Sequence, residues 1–185
     1  MVLVDQETNA DTTFSYLVPT LPNGSITVAA QRSDSFFPPF AIAHQDGVVP
    51  GQTGIALAIP DPATLMFPVA AATGINASTS FSWTGPSTVN VFHVDFGQGA
   101  SSNSIFVVTQ QTQTQLPTFP GTGFGIPAGA AASWSVETHG NYATVNAATA
   151  STGMLDSASG SGQPFGPRTT SGTYTQSEVR GFTAQ

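Results

Sequence analysis

Short alternations of apolar and polar residues recur along the chain and predict β-strands. The clearest run, 90–96, places two sets of side chains on opposite faces of a strand: Phe92, Val94 and Phe96 towards a core, and Val91, His93 and Asp95 outward. The same period of two assigns Phe81 and Trp83, and later Trp134 and Val136, to core-facing positions. The core is therefore expected to be aromatic.

Eleven strands are predicted, at 12–18, 25–31, 40–44, 54–59, 80–83, 90–96, 104–109, 112–116, 131–138, 142–147 and 179–183. Helix signals are scarce because 14 Pro and 19 Gly interrupt every run that could show a helical apolar face. The pattern predicts an all-β protein made of tandem antiparallel β-sandwiches.

Proline and glycine spacing also predicts the domain organisation. Three prolines within residues 60–68 exclude a central strand there and favour a stiff junction at 61–69. We expect a small β-sandwich-like domain at 1–60 and a larger sandwich at 70–185. The stretch 147–175 is rich in Ser, Gly and Thr and is interpreted as a long insertion that serves as a recognition surface or is mobile.

Composition excludes several classes of protein. The 185 residues are 39% hydrophobic and 7% charged, which favours a folded core over disorder. There is no cysteine, and three arginines without any lysine cannot form the basic surface that nucleic acid requires. The missing lysine also excludes Schiff-base and P-loop chemistry.

Membrane and export signals are absent from the sequence given. No apolar run approaches the ~18 residues of a transmembrane helix, and the first residues do not form a secretory signal. A surface made polar by Thr, Ser and Gln rather than by charge favours an extracellular or cell-surface location, with the signal or anchor outside this sequence.

The second half of the chain carries a family resemblance. An early strand with Trp83, a central strand at 91–96, a late strand around Trp134 and a closing strand at 177–183 resemble a fibronectin type III-like sandwich of bacterial surface lipoproteins. The first half resembles a small prealbumin-like sandwich. The resemblance implies a non-enzymatic role in adhesion, spacing or ligand presentation, and it implies no catalytic residues.

Aromatic side chains in Gly- and Pro-rich segments are the candidate ligand contacts: Phe36, Phe37, Phe119, Phe124 and Phe165. Rings in such loops offer a large contact area to a protein or glycan surface with little loss of entropy. The alternative is that they close the ends of the sandwich.

The uncharged segment 110–115 alternates Gln and Thr and predicts a polar strand edge, with Gln111, Gln113 and Gln115 as candidate self-association residues. Such an edge favours a second functional hypothesis, a self-assembling subunit of an extracellular filament or surface lattice. A solvated hairpin edge is the alternative interpretation.

Candidate chemistry is sparse, and we predict neither catalytic nor metal-binding residues. His93 and Asp95 share a strand face and could bind a metal, which would favour a metal-dependent enzyme; a glycan hydrolase is the other enzymatic alternative. The preferred interpretation is that both residues lie on a solvated face. His139 is assigned to a hairpin turn, and His44 is expected to be a cap or solvated.

No cofactor is expected, although Asp5, Glu7 and Asp11 near the start of the chain could offer oxygen ligands to calcium. An exposed tail explains the same residues.

Overall fold

The computed structural model describes residues 13, 15, 26–32, 38–88, 90–98, 104–122, 124–150 and 171–185. These residues form eleven strands: β1 Ile26–Arg32, β2 Phe40–Val48, β3 Thr64–Phe67, β4 Ala72–Ile75, β5 Ser80–Thr84, β6 Phe92–Gly97, β7 Ser104–Thr109, β8 Gln113–Gln115, β9 Ala131–His139, β10 Gly172–Gln176 and β11 Arg180–Ala184. One short helix, α1, covers Val145–Ala148. The predicted all-β class is confirmed.

The strands form two sheets. The larger has eight strands in the order β1-β2-β10-β9-β11-β4, with β6 paired to β9 and β7 paired to β6. The smaller has the order β3-β5-β8. Strand β9 is central to the larger sheet because β6 lines one of its edges, whereas β10 and β11 share the other.

Aromatic side chains from both sheets pack into one core. The ring of Phe81, from the smaller sheet, makes edge contacts with Phe96 at 4.8 Å and Trp134 at 5.2 Å between ring centroids. Trp83 packs against Phe92 at 5.6 Å. The core-facing assignments made from alternation are confirmed, whereas Val91, which was expected to point outward, is fully buried.

The predicted antiparallel pairing has one exception, because β4 and β11 are parallel, with Phe182 opposite Ala72. Strand β2 also pairs with β10, so residues 40–48 and 172–176 belong to the same sheet. The division into tandem domains at 61–69 is not tested by these pairings and stays a prediction.

Two predicted strands are wrong. Residues 54–59 form no strand. In 142–147 the chain instead turns into α1, because the Thr144 side chain accepts a hydrogen bond from the backbone N–H of Ala147 and caps the helix. The predicted strand at 12–18 lies almost entirely outside the described residues.

Strand β2 continues through Asp46 and Gly47, although Asp-Gly pairs are typical of turns. The register between β1 and β2 shifts there, and Gly47 has a φ of 70°. A glycine with positive φ accommodates a bulge without ending the strand.

Three strands were missed: β3 in the proline-rich junction, β4, and β10 inside the segment interpreted as an insertion. Strand β3 is an outer strand, which agrees with the expectation that prolines exclude a central one. Strand β10 escaped detection because its buried positions include Thr175, whose hydroxyl lies 2.6 Å from that of Thr138.

Candidate functional site

An apolar groove lies beside the outer strand β7. Its volume is about 380 Å³, and its lining is contributed by β7 and by the segments that follow β6 and β8: Gln98, Ser104, Ile105, Phe106, Phe119, Phe124, Gly125 and Ile126. None of these described lining residues has a charged side chain. The rings of Phe106, Phe119 and Phe124 are 53%, 42% and 71% exposed. The groove thus presents aromatic surface to solvent.

A tight turn holds two of these rings in place. Pro120 and Gly121 occupy its central positions, Gly121 has a φ of 78°, and the backbone N–H of Thr122 donates to the carbonyl of Phe119 at 3.3 Å. Proline followed by a residue of positive φ is the signature of a type II turn. The Thr122 hydroxyl also donates to the Phe119 carbonyl and accepts from the N–H of Phe124 at 3.2 Å.

The structure therefore brings Phe119 and Phe124, two of the predicted ligand contacts, to one groove. Phe106 was missed by the sequence analysis because it lies inside a strand rather than in a Gly- and Pro-rich loop. The other predicted ligand contacts, Phe36, Phe37 and Phe165, lie outside the described residues. The ligand-binding role of all these residues stays a prediction.

The predicted polar edge corresponds to β8, an outer strand of the smaller sheet. Gln113 and Gln115 are exposed and belong to the strand, whereas Gln111 is exposed in the bend before it. Strand β8 pairs with β5, and no other described strand pairs with it.

A cluster of polar side chains lies on the face of β6 and β9 that points away from the core. His93 is directly opposite Glu137 in the antiparallel register, and His139 follows two residues later on the same face. His93 Nδ1 is hydrogen bonded to Glu137 Oε2 at 3.0 Å, and His139 Nε2 lies 3.6 Å from the same oxygen. One carboxylate oxygen therefore lies between two imidazoles.

Aromatic rings cover this cluster. The ring centroid of Phe106 lies 4.8 Å from that of His93, and the ring centroid of Tyr174 lies 5.1 Å from that of His139. The His93, Glu137 and His139 side chains are only 14%, 20% and 6% exposed. The expectation of a solvated face is therefore wrong at His93, because β7 and β10 place rings beside it.

Burial and neighbouring charges shift the pKa values of two carboxyl groups in opposite directions. Burial raises the pKa of Asp95 above its ordinary value, and the nearby Glu137 raises it further, although His93 and Ser104 oppose the change. Burial also acts to raise the pKa of Glu137, but the interactions with His139 and His93 outweigh it and lower that pKa well below its ordinary value. Glu137 is therefore held as a carboxylate.

The sequence pattern pairs His93 with Asp95 rather than with Glu137, and it assigns His139 to a turn. His139 is instead the last residue of β9. Only the register between β6 and β9 brings Glu137 and His139 to His93. His44, expected to be a cap or solvated, is buried, and its Nε2 lies 3.8 Å from Asp46 Oδ2.

The residues considered for calcium, Asp5, Glu7 and Asp11, lie outside the described part of the chain. Within the described residues, no helix has the length and apolar character needed to cross a bilayer.

Comparisons with known proteins identify no relative. No protein-family model matches the chain, and neither the curated proteins nor the solved structures contain a match to it. The fibronectin type III-like and prealbumin-like resemblances therefore stay predictions, and a functional conclusion depends on the chain's own residues.

Proposed function

We propose that the protein is a non-enzymatic extracellular β-sandwich protein that binds a neutral glycan in the groove formed by Phe106, Phe119 and Phe124, for adhesion or ligand presentation. The observation that carries the proposal is the exposure of three aromatic residues around one groove, whose lining carries no charge in the part of the chain that the structure describes. Two sheets that share an aromatic core support the sandwich architecture, and the fibronectin type III-like assignment is part of the same proposal.

The chemistry of the groove favours an uncharged ligand with apolar faces. A charged ligand would lose hydration without gaining an opposite charge from the described lining residues, none of which is ionisable. Phenyl rings pack against the C–H faces of a sugar, and the polar groups of Gln98 and Ser104 lie at the same groove. A volume of about 380 Å³ lies within the ~300–1,000 Å³ of small-molecule sites.

Hydrogen bonds order the described backbone beside the groove. The type II turn and the Thr122 hydrogen bonds hold the backbone that carries Phe119 and Phe124, and β7 pairs with β6 along its whole length. A site already formed before binding loses less entropy when a ligand docks.

A screen against immobilised neutral oligosaccharides, followed by calorimetry with the best binder, tests this function. Phe124→Ala and Phe119→Ala should each weaken binding by about tenfold or more, because exposed aromatic contacts at the centre of an interface carry much of its free energy. Phe67→Ala is the matched control, since Phe67 is 50% exposed on β3, outside the groove. Absence of glycan binding, or equal affinity in all three variants, would contradict the proposal.

A second candidate function, self-assembly, is favoured by the position of β8. Its outer side offers backbone groups to another chain, and its sequence Gln-Thr-Gln contains no charge that would oppose pairing. Light scattering over a concentration series should detect assembly, and Gln113→Lys should suppress it, whereas Gln185→Lys at the exposed C-terminal residue should not. A monomer at every concentration would exclude this function.

A further inference from the structure

We infer that His93, Glu137 and His139 form a binding site for one divalent transition metal ion of the Zn²⁺ type. The site goes beyond glycan binding, since its residues are not those that line the groove. One ligand atom from each side chain lies within 4.8 Å of the other two. Two imidazole nitrogens and one carboxylate oxygen are a donor set that zinc and related first-row ions bind.

Two of the three distances between ligand atoms are close to those of a tetrahedral site, and the third, between the two imidazole nitrogens, is within 4.8 Å. Two ligand atoms that each lie ~2.0–2.1 Å from a tetrahedral ion are ~3.3–3.4 Å apart. Glu137 Oε2 lies 3.0 Å from His93 Nδ1 and 3.6 Å from His139 Nε2. An ion would require adjustments of a few tenths of an ångström at these two pairs, and the two imidazole nitrogens would also have to lie at the tetrahedral spacing.

The three ligands are carried by strands rather than loops. Strand β6 pairs with β9 over six consecutive residue pairs, and His93 is paired with Glu137 within that ladder. The β9 backbone also pairs with β10 at Glu137 and His139. Because a hydrogen-bonded sheet already fixes the ligand positions, less conformational entropy is lost when the metal binds.

A buried carboxyl oxygen lies on the same face of the sheet as the cluster. Asp95 Oδ1 is buried and has no hydrogen-bond partner among the described residues. Buried polar atoms of this kind call for a water molecule or an ion nearby. Asp95 lies two residues from His93 on the same face of β6.

Charge balance also favours a dication. Glu137 and Asp95 place two carboxyl groups on this partly buried face of the sheet, and a divalent ion would offset their charge. Calcium and magnesium fit less well, because they prefer a full set of oxygen ligands. Phe106 and Tyr174 limit solvent access, which strengthens metal–ligand electrostatics. Three protein ligands leave the fourth tetrahedral position for water or an exogenous ligand.

Calorimetry on tag-free full-length protein, dialysed against a chelator, tests the site with ZnCl₂ as the probe. Wild-type protein should bind one Zn²⁺ per chain, and CaCl₂ should give no comparable binding. Glu137→Gln and His139→Ala should each weaken Zn²⁺ binding by at least ~10–100-fold, because mutation of residues that only hydrogen bond to metal ligands already weakens metal affinity by this factor. Thermal unfolding should show that Zn²⁺ raises the Tm of wild-type protein but not of these variants.

The matched control is His44→Ala. His44 is also a buried histidine beside a carboxylate, but it lies outside the cluster. It should leave Zn²⁺ affinity unchanged. Far-UV circular dichroism establishes whether each variant folds. If neither ligand variant folds, X-ray absorption of the wild-type zinc complex tests the site instead, because the spectrum must then show two imidazoles and a carboxylate bound to zinc. No Zn²⁺ binding, unchanged affinity in both ligand variants, or a spectrum without imidazole would overturn the inference.

Discussion

Phe81 is the side chain on which packing between the two sheets depends most directly. It is fully buried in β5 of the smaller sheet. Its ring contacts Phe96, Trp134 and Phe182 of the larger sheet, with centroid distances of 4.8, 5.2 and 5.5 Å and interplanar angles between 66° and 83°. Phe81→Ala would therefore remove one ring from the centre of a four-ring cluster.

The magnitude follows from burial and from the ring contacts. Replacing a buried Phe by Ala costs about 3–5 kcal/mol in free energy of unfolding, and the cost rises with the cavity that remains. Edge-to-face pairs contribute ~0.5–1.5 kcal/mol each beyond their buried area. Since Phe81 has three such contacts, its loss should fall near the upper end, about 4–5 kcal/mol. For a chain of this size that is a fall in Tm of roughly 8–20 °C.

Urea denaturation followed by tryptophan fluorescence measures this change, since both tryptophans, Trp83 and Trp134, are buried and report core packing. Phe124→Ala is the control, because Phe124 is 71% exposed and its removal should cost less than about 1 kcal/mol. The reasoning would be refuted if Phe81→Ala destabilised the protein by no more than Phe124→Ala, since the two sheets would then not share this core.

Three further changes test other parts of the fold. Ser177→Ala should lower the free energy of unfolding by about 1–3 kcal/mol in chemical denaturation, because the Ser177 hydroxyl accepts from the buried N–H of Val136 at 2.9 Å; an unchanged midpoint would contradict this. Gly85→Ala should lower the free energy of unfolding by about 1–3 kcal/mol in the same assay, because the new Cβ would lie 2.4 Å from the buried ring of Phe92. A variant as stable as the wild type would show that the ring moves freely. In metal-free protein, the free energy of unfolding of the wild type should exceed that of Glu137→Gln above pH 4.5, the ordinary pKa of glutamate, because folding lowers the pKa of Glu137. This difference should disappear as the pH falls towards the lowered pKa, and a difference that does not vary with pH would refute the prediction.

Much of the local structure follows from the sequence pattern. Period-two alternation identified β5, β6 and β9 and the faces of Phe81, Phe96 and Trp134, because side-chain direction within a strand depends only on neighbouring backbone geometry. Alternation could not identify β10, whose buried Thr175 is polar and becomes satisfied only by Thr138 of another strand. Tertiary pairing, not local pattern, makes that segment a strand.

The sequence by itself determined the all-β class, the aromatic core positions and the scarcity of charge, since each depends on composition or on residues close together along the chain. Only the tertiary structure decided which distant residues meet. Phe106 joins Phe119 and Phe124 because β7 lies beside the turn that carries them. His93 meets Glu137, 44 positions away, because the register of β6 on β9 places them opposite each other. Register is a property of two strands together: a shift of one residue would turn the whole set of side chains to the other face.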